Sequence, residues 1–589
     1  MRPASSVALL RILTLLVAVC PPGAEAQQEG TAEPDLSELH ELQADFERFR
    51  ERNTPVQRET VHGCDERIGR ICIWFGEEAE QEFPGELRQV QQARVDLIRA
   101  LSGAFDDTPH RWILGQWVHY LVENGSIREA ERVAQACGID ERWWCAALHG
   151  YVLHERAAYV EAERAFRGST ASMPDELREE WTALSYIVPG DLREQLEDAS
   201  PEEREALVER FWRLSDPLFV FQGNDRLTDH YARRVEATNR RDAIDPLGME
   251  WGEDLEETLI RYGMNTGYGR THDPSRMMRN GFNDTRRMVG FHHPQSRGYL
   301  FPEEFLASPS DIPAESWITA PREARTWYAP RYAPEMRGLE TQVGRFRRGS
   351  RMLVVGAYRP TVPSEESRAG FEPAFGPAGA SDPISAALFL VDEGGSREPE
   401  MVRGRDTEGV LTIETRPGRY VSSLEVLDLA NRRAWRARQG VVQEPLIRGM
   451  VDVSDLMILK EDAPLPDSLP DALPHLRPGI RIHPGERFPV FWEVYGLGVQ
   501  EPVRVTIGFS EGRPGFLTRV GDFLGVIEPE GDVDITFDDM GPDREQTVSR
   551  SLEIELPDLD PGPYTLHLRL ELAGREPLTI SRPVIVDRR

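Results

Sequence analysis

The spacing of apolar and polar positions changes near residue 320 of this 589-residue chain. Residues 86–190 have apolar positions at helical spacing, with many Ala, Leu, Glu and Arg and few helix breakers, which predicts an array of α-helices. Beyond residue 320, segments such as "RMLVVGAY", "FPVFWEVYGL" and "YTLHLRLEL" alternate apolar and polar residues between Gly and Pro. This alternation predicts antiparallel β-sheets, most simply two β-sandwiches.

Two segments of the predicted helical array repeat each other. Aligning "REAERVA" with "VEAERAF" places Ala130 opposite Ala162, which gives a period of 32 residues. The second segment resembles the tetratricopeptide pattern, in which small residues let paired helices approach and an aromatic fills the gap. The positions that match are Gly150, Tyr159, Ala162, Phe166 and Pro174. The resemblance covers roughly residues 105–176, and a plain array of helical hairpins is the alternative.

The segment "EWGEDLEETLIRYG", residues 250–263, combines a Trp with a cluster of acids. Together with the preceding helices, residues 207–263 resemble the GWxTD domain family of exported bacterial proteins. The matching positions are Phe211-Trp212-Arg213-Leu214, Asp216-Pro217, Asn224, Arg234-Val235, Trp251, Asp254 and Tyr262-Gly263. The chain departs from the signature at Glu250, Glu253 and Leu255-Glu256. The resemblance implies a fold and a lineage rather than a chemistry.

The same segment has a structural interpretation and a catalytic one. Asp254 precedes "LEETLIRYG" and is expected to cap or open a short helix; a strand ending at Tyr262 is the alternative. We expect Trp251 to be substantially buried against the helices of 207–242. The motif residues Trp251, Asp254, Tyr262 and Gly263 are therefore predicted to be structural, and acids at a catalytic site are the rival interpretation.

These patterns together predict a multidomain α+β protein. Its N-terminal part is a tetratricopeptide-like helical array, its central part a GWxTD-like α/β region, and its C-terminal part a pair of antiparallel β-sandwiches. The Pro-rich stretch 461–479 is predicted to be the boundary between the two sandwiches or a connection between sheets. The predicted boundaries are a signal peptide at 1–26, a lead-in at 27–85, the helical domain at 86–190, the GWxTD-like domain at 191–319 and sandwiches at 320–460 and 461–589.

The N-terminus predicts export. Arg2 and Arg11 precede an apolar run, and Ala24-Glu25-Ala26 has the form of a signal-peptidase site. No later apolar run is long enough to span a bilayer, so we expect an exported chain, periplasmic or extracellular, with no transmembrane segment after cleavage. An association with the cell envelope stays open.

Charge and composition exclude some classes of function. The net charge is -31, which repels nucleic-acid phosphates and excludes a nucleic-acid partner. The single lysine, Lys460, has no glycine loop beside it, which excludes a P-loop.

The cysteines of the mature chain occur in two pairs, each eight residues apart. Oxidising conditions outside the cytoplasm favour disulfides. We therefore predict the local bridges Cys64–Cys72 and Cys137–Cys145; the spacing does not fit a metal site.

Other segments offer weaker chemistry. "GFSEG", 508–512, matches the hydrolase G-x-S-x-G, but Pro514 and Gly515 follow where that motif needs a helix, so Ser510 is expected in a hairpin turn. His154 in "HERAA" lacks the second His of a zincin, and the adjacent His292 and His293 lack a third ligand. The Gly-rich stretch 263–274 is expected to be a loop. The acids Asp532, Asp534, Asp538 and Asp539 could bind Ca²⁺, but they lack the spacing of a calcium-binding loop and are expected in a solvated hairpin.

The sequence therefore assigns no catalytic residue, metal or cofactor. It favours a non-enzymatic interaction or scaffold protein of the bacterial envelope with unidentified protein partners. The alternatives are a secreted hydrolase with a metal or serine site between domains and a carbohydrate-binding protein using exposed Trp and Tyr on the sandwiches.

Overall fold

The structure is a computed structural model. It describes residues 35–55, 65–74, 85–265, 267–272, 286–291, 308–312, 314–317, 324–361, 384–393, 400–404, 406, 408–447, 449–512, 533–544, 547–556 and 559–587. Within these residues the chain is a mixed α+β protein whose helices precede most of its strands. The predicted signal peptide lies outside them.

The helices occupy the first half of the chain and one short connection in the second half. They are α1 (Ser37–Asn53), α2 (Arg88–Asp107), α3 (Arg111–Glu123), α4 (Ile127–Ala136), α5 (Arg142–Glu155), α6 (Tyr159–Ser172), α7 (Asp175–Thr182), α8 (Gly190–Asp198), α9 (Pro201–Ser215), α10 (Asp225–Arg240), α11 (Glu253–Tyr262) and α12 (Leu469–Ala472).

The strands form two small hairpins and three larger sheets. They are β1 (Glu66–Ile68), β2 (Ile71–Ile73), β3 (Gly267–His272), β4 (Arg286–Phe291), β5 (Glu335–Arg348), β6 (Arg351–Pro360), β7 (Ile384–Asp392), β8 (Glu400–Gly404), β9 (Gly409–Thr415), β10 (Gly418–Asp428), β11 (Arg433–Gln443), β12 (Asp452–Val453), β13 (Met457–Ile458), β14 (Arg481–Ile482), β15 (Arg487–Tyr495), β16 (Pro502–Glu511), β17 (Val533–Met540), β18 (Val548–Glu555), β19 (Gly562–Leu572) and β20 (Leu578–Val586).

Small residues allow helices α3 to α6 to pack closely in sequence order. Ala130 and Ala162 are completely buried, and a Cβ atom on Gly150 would lie 2.9 Å from the ring of Phe166. A larger residue at position 150 would therefore separate α5 from α6. Helix α9 begins with a capping box, in which Glu203 accepts from the Ser200 amide at 3.0 Å and Pro201 occupies the first helical position.

Helix α10 packs against the face that α3 and α5 share. Gln116 on α3 donates to the carbonyl oxygen of Asn239 at 2.6 Å. Farther along the same face, the His154 ring on α5 lies 2.9 Å from the hydroxyl of Thr228. Helix α10 therefore occupies the groove that α3 and α5 of the helical array form.

The first large sheet has seven strands in the order β8-β7-β10-β11-β5-β6-β9. Strand β5 links two layers, because its first residues pair in parallel with β11 while residues 339–348 pair with β6. Across the layers, Gly356 of β6 faces Leu424 of β10, where an added Cβ would lie 2.9 Å from the leucine side chain. The core between the layers is apolar. We refer to this part as the first sandwich.

A four-stranded and a five-stranded sheet share a second core. In the four-stranded sheet, β15 pairs with β12, β13 and β18; the five-stranded sheet has the order β14-β20-β19-β16-β17. Strands β12 and β13 precede residue 460, so this second sandwich begins before the boundary drawn from the sequence. The Pro-rich stretch forms α12, and Leu469 and Leu476 pack with residues of β6 and β15.

Candidate functional site

The segment 250–263 forms the N-terminal approach, body and end of helix α11. Gly252 is the N-cap residue, with an extended backbone, and Asp254 lies in the first helical turn. The helix alternative is therefore the correct one, but Asp254 makes no side-chain capping bond. Trp251 is only partly buried, less than expected, and packs on the cluster formed by α11 and the β1–β2 hairpin.

Asp254 binds the turn between β1 and β2 instead of capping its helix. Its Oδ2 accepts from the Arg70 amide at 2.9 Å and from Arg70 Nε at 2.7 Å, while Oδ1 accepts from Arg70 Nη2 at 2.7 Å. These hydrogen bonds from Arg70 lower the pKa of Asp254 to about 2. The contact needs glycine at position 69, where φ is +50° and a Cβ would lie 2.6 Å from that of Asp254.

Tyr262, at the other end of α11, also contacts the β1–β2 hairpin. Its buried hydroxyl donates to Glu66 Oε2 at 2.6 Å and accepts from Arg261 at 2.6 Å. The ring packs edge-on against Trp327, with centroids 4.5 Å apart. Burial raises the pKa of Tyr262, with the hydrogen bond to Glu66 acting in the same direction, so the phenol stays protonated at neutral pH.

Gly263 ends the helix in the left-handed region, with φ at +84°. A Cβ here would lie 3.0 Å from Arg233 Nη2. That buried guanidinium donates to the carbonyl oxygens of Ile260 at 2.9 Å and Arg261 at 3.0 Å. Arg233 therefore caps the C-terminus of α11, where a cation is favoured by the helix dipole.

A recess lies beside α11, with about 550 Å³ of empty space that includes open solvent. The ion pair of Arg240 and Asp245, 2.9 Å apart, forms part of its wall. Apolar side chains supply most of the rest, and Gly263 lies at the edge. Further lining residues are Ile71, Cys72, Ile73, Trp74, Leu247, Leu255, Thr258, Leu259, Met264, Asn265 and Gly290. The recess is a candidate site for a small ligand beside the motif.

The predicted disulfides have different outcomes. Cys137 and Cys145 are bonded, with Cα atoms 5.5 Å apart, and the bridge joins the end of α4 to the start of α5. Cys72 is disulfide-bonded as well, but its predicted partner, Cys64, lies outside the described residues. The second pairing therefore stays a prediction.

Ser510 lies in strand β16 rather than in the expected hairpin turn, opposite Thr565 of β19. Two residues away along each strand, on the same face, His567 Nε2 is 3.1 Å from Asp534 Oδ1. The strand setting has no strand-to-helix elbow to expose the serine. His567 directs its Nε2 atom to Asp534, not to a nucleophile.

The remaining histidine and loop candidates offer little chemistry. Burial lowers the pKa of His154 to about 3, against the opposing charge of Asp229, so this ring is neutral and inside the fold. His292 and His293 lie outside the described residues. The Gly-rich stretch expected to be a loop contains strand β3 instead, over Gly267–His272.

The acids near residue 535 are paired with neighbouring side chains. Asp539 lies 2.7 Å from Arg550, and Asp538 lies 3.4 Å from Arg504; Asp532 lies outside the described residues. Within the described part of the chain, no three His, Cys, Asp or Glu residues are grouped to hold a metal ion. In that same part, no helix has both the length and the apolar character to cross a bilayer.

Sequence reasoning missed a buried ionic network between α1, α2 and α3. Arg50 reaches Glu123 at 2.6 Å, and Arg94 reaches the same carboxylate at 2.9 Å. Tyr120 donates to Glu47 at 2.7 Å. Burial raises the pKa of Glu47 to about 7 despite the nearby charge of Arg50. These partners are 29 to 73 residues apart in sequence, so no local spacing could have revealed them.

Comparisons with known proteins identify no family. No protein-family model matches the chain, and no curated protein matches it. The resemblances to the GWxTD family and to tetratricopeptide repeats therefore stay predictions.

Several solved structures match parts of the chain weakly. An AA10 lytic polysaccharide monooxygenase from Streptomyces lividans matches at 10% identity and a TM-score of 0.13, covering 20% of this chain and 63% of its own. Red sea bream transglutaminase matches at 8% identity and a TM-score of 0.14, covering 42% of this chain and 32% of its own. The ICAM-5 D1–D4 ectodomain fragment matches at 11% identity and a TM-score of 0.13, covering 51% of this chain and 56% of its own. The chain spans less than two thirds of each structure, and TM-scores this low show no shared overall fold.

Proposed function

We propose that this chain is an exported, non-enzymatic interaction protein of the bacterial envelope that binds a protein partner through one end of its second sandwich. The disulfide between Cys137 and Cys145 supports export, because such bonds persist outside the reducing cytoplasm. Two features of the fold then favour the sandwich end over the helical array as the binding surface.

The first feature is the groove of the helical array. Repeat arrays of paired helices bind partners on the face made by successive first helices. Here that face, made by α3 and α5, packs against α10 through Gln116, His119 and His154. The array therefore supports another part of the same chain, and a partner has to bind elsewhere.

The second feature, which carries the proposal, is a set of neighbouring loops with exposed apolar side chains. We call these loops, residues 446–447, 449–450, 496–501 and 540–543, the apolar loop end. Ile447 is 67% exposed, Val499 54%, Met450 52% and Met540 45%. Apolar side chains gathered on loops of a rigid sheet are typical of protein-binding surfaces.

Backbone contacts hold these loops together. The Gln500 amide donates to the Pro542 carbonyl at 3.1 Å, and the Gly541 amide donates to Glu501 at 2.7 Å. A Cβ on Gly496 would lie 2.2 Å from the Met450 carbonyl oxygen. The apolar loop end is therefore one preformed surface, which lowers the entropy lost on binding.

A pull-down with matched variants tests the proposal. The mature chain, its Ile447→Ser/Val499→Ser variant and a Met401→Ser control are used as bait in envelope extracts from the cells that export it. Met401 is the control because its side chain is 54% exposed, as much as that of Val499, but it lies on β8 of the first sandwich, away from the apolar loop end. We expect one protein to be retained by the wild type and by the control and lost from the double variant. Equal retention by all three would contradict the proposal.

The two alternative functions differ in the support they receive. Every Trp and Tyr beyond residue 320 is buried, so the sandwiches present no aromatic platform for a carbohydrate; they are Trp327, Tyr328, Tyr332, Tyr358, Tyr420, Trp435, Trp492, Tyr495 and Tyr564. One observation still favours a serine hydrolase: Ser510 lies on the same sheet face as the His567–Asp534 pair.

A fluorophosphonate probe tests the hydrolase alternative directly. If Ser510 is structural, the folded chain is not labelled, and Ser510→Ala changes neither ester hydrolysis nor the melting temperature by a measurable amount. Stoichiometric labelling that disappears in Ser510→Ala would establish the hydrolase in place of the interaction protein.

A further inference from the structure

Three carboxyl groups are buried where the helical half meets the first sandwich. Asp216 follows α9, Asp225 begins α10 and Glu425 lies in β10, and they are 8%, 0% and 1% exposed. The same junction is held by hydrogen bonds from β11, in which Arg438 donates to the carbonyl oxygens of Leu214 at 2.6 Å and Asp216 at 2.7 Å. Three acidic side chains, each from a different part of the chain, are therefore enclosed at the same junction.

The carboxyl groups do not have equal partners. Glu425 accepts from the Val220 amide at 2.9 Å and lies 3.7 Å from Arg438. Asp216 accepts from the Leu218 amide at 3.2 Å. Among the described residues, neither Asp216 nor Asp225 forms an ion pair. A second buried cation of β11, Arg436, donates to the carbonyl oxygens of Pro217 at 2.9 Å and Trp317 at 3.3 Å.

Asp225 is the least satisfied of the three. The Tyr328 hydroxyl donates to Oδ2 of Asp225, but within the described chain Oδ1 has no partner that meets hydrogen-bond geometry. The hydroxyl groups of Tyr159 and Tyr332 are buried without a partner there too. A protonated carboxyl group could donate a hydrogen bond where an ionised one cannot.

The other charged groups that face Asp225 do not neutralise it. On α10, Arg226 lies 3.0 Å from Asp229, so that guanidinium is shared with a second acid. From the segment after residue 330, Arg331 forms an ion pair with Glu155 of α5. Arg233 of α10 also lies 2.8 Å from Asp229, so two guanidinium groups share that carboxylate.

Burial is the main cause of the resulting titration behaviour. It raises the pKa of Asp225 to about 7 despite the hydrogen bond from Tyr328. Burial and the charges of Asp225 and Glu425 raise the pKa of Asp216 well above its usual value. Both groups are ionised in an unfolded chain at neutral pH.

We propose that this junction is a proton-binding device: it holds a proton below neutral pH, and losing that proton loosens the docking of the helical half on the first sandwich. The sign follows from linkage. The folded chain binds protons that the unfolded chain has already released, so this cluster's contribution to stability falls as the pH rises from about 4 through about 7. An exported protein meets such pH changes directly, because its surroundings are not buffered by the cytoplasm.

Hydrogen exchange across the junction tests the proposal. Amide protection of residues 214–222 and 420–428 is measured in the full mature chain at about pH 5.5 and about pH 8.5, corrected for intrinsic exchange rates. We expect protection to be about tenfold lower at the higher pH in the wild type. In Asp225→Asn, which mimics the neutral acid, this loss of protection with rising pH should be clearly smaller than in the wild type, because only Asp216 still titrates there with a strongly raised pKa.

Two further measurements keep the test decisive. Asp254→Asn is the matched control, because the pKa of Asp254 is lowered instead of raised and its titration lies outside the range. If Asp225→Asn fails to fold, infrared difference spectra of the wild type are used, with Tyr328→Phe as the second variant. The expected signal is the carbonyl stretch of a buried protonated carboxyl that disappears near neutral pH, at a higher pH in Tyr328→Phe. Equal pH dependence in the wild type and Asp225→Asn, or an infrared spectrum without that transition, would overturn the proposal.

Discussion

The interior of the second sandwich is apolar, whereas helix α10 is buried through its charges. The sandwich core is built from residues such as Phe488, Val490 and Trp492, each at most 2% exposed. On α10, Arg226, Glu236 and several other polar side chains are equally buried. Both regions exclude water, but α10 must satisfy several ionised groups to do so.

This difference determines what each region responds to. Apolar burial depends on volume and shape, so the sandwich should be sensitive to cavities and indifferent to pH. Paired charges depend on protonation and on each partner, so α10 should be sensitive to the loss of a single charge. We therefore expect the stability of α10 and its contacts to depend on pH more strongly than that of the apolar core.

The largest expected effect is in the apolar core. Phe488→Ala should lower the free energy of unfolding by about 3–5 kcal/mol, because the residue is completely buried and leaves a cavity. The loss should be the same at about pH 5.5 and about pH 8.5 in thermal and denaturant melts. Ile535→Ala, at a position 48% exposed, is the control and should be nearly neutral. A strongly pH-dependent loss for Phe488→Ala would break the comparison.

A comparable but pH-dependent effect is expected on α10. Burial alone would raise the pKa of Glu236, but the charge and hydrogen bond of His119, with Arg240, lower it to about 2. Glu236→Gln should cost about 3 kcal/mol, because it leaves the two cations without their shared partner. Glu209→Gln, at an exposed i,i+4 pair with Arg213, is the control and should cost less than about 0.5 kcal/mol.

The pH profile of Glu236→Gln sharpens this prediction. The pKa of His119 is raised in the fold, where the charge of Glu236 opposes the effect of burial. The pair's contribution through His119 is thus complete below the usual histidine pKa and is lost as the pH rises through the folded value. Melts across that range should show a smaller fall with pH in Glu236→Gln than in the wild type. Parallel profiles would show that the ring does not titrate with folding.

The sequence predicted the apolar region better than the charged one, for a physical reason. Strand β15, "RFPVFWEVY", is a short and nearly continuous apolar run, and eight of its nine residues are buried. The bridge from Cys137 to Cys145 spans a single turn between adjacent helices, so local sequence is sufficient to predict both. Helix α10 has one narrow apolar stripe, with Leu227, Tyr231 and Val235, among charged and polar residues, yet twelve of its sixteen residues are buried. A helix of that composition is expected to face solvent unless its partners are known, and those partners come from distant parts of the chain.

The candidate motif was predicted in part. The sequence predicted a short helix opening near Asp254, and α11 covers Glu253–Tyr262; the structural role of the motif residues stays a prediction. The partner of Asp254 is Arg70, 184 residues earlier, and no property of either local sequence points to the other. The sequence therefore located the residues but could not give the contact that explains them.

A smaller effect is expected at Trp251. Because this side chain is only partly buried, Trp251→Ala should cost about 2 kcal/mol, less than a fully enclosed aromatic. Trp327→Ala in the same cluster is the comparison, since that residue is 1% exposed and should cost about 3–5 kcal/mol. Thermal melts of both variants measure the difference. Equal losses would mean that the Trp251 ring is more enclosed in solution than its packing indicates.

The smallest expected effect is at Asp254, whose partner Arg70 is 46% exposed. Asp254→Asn should cost about 1 kcal/mol at neutral pH, because solvent screens the pair although its geometry is bidentate. The pKa of this carboxyl is lowered to about 2 by Arg70, so its contribution is present above about pH 4 and is lost as the pH falls towards about 2. Melts of the variant and the wild type should therefore converge in acid. If the variant is as stable as the wild type at neutral pH, the contact does not stabilise α11, and the acidic cluster regains its alternative role as a site.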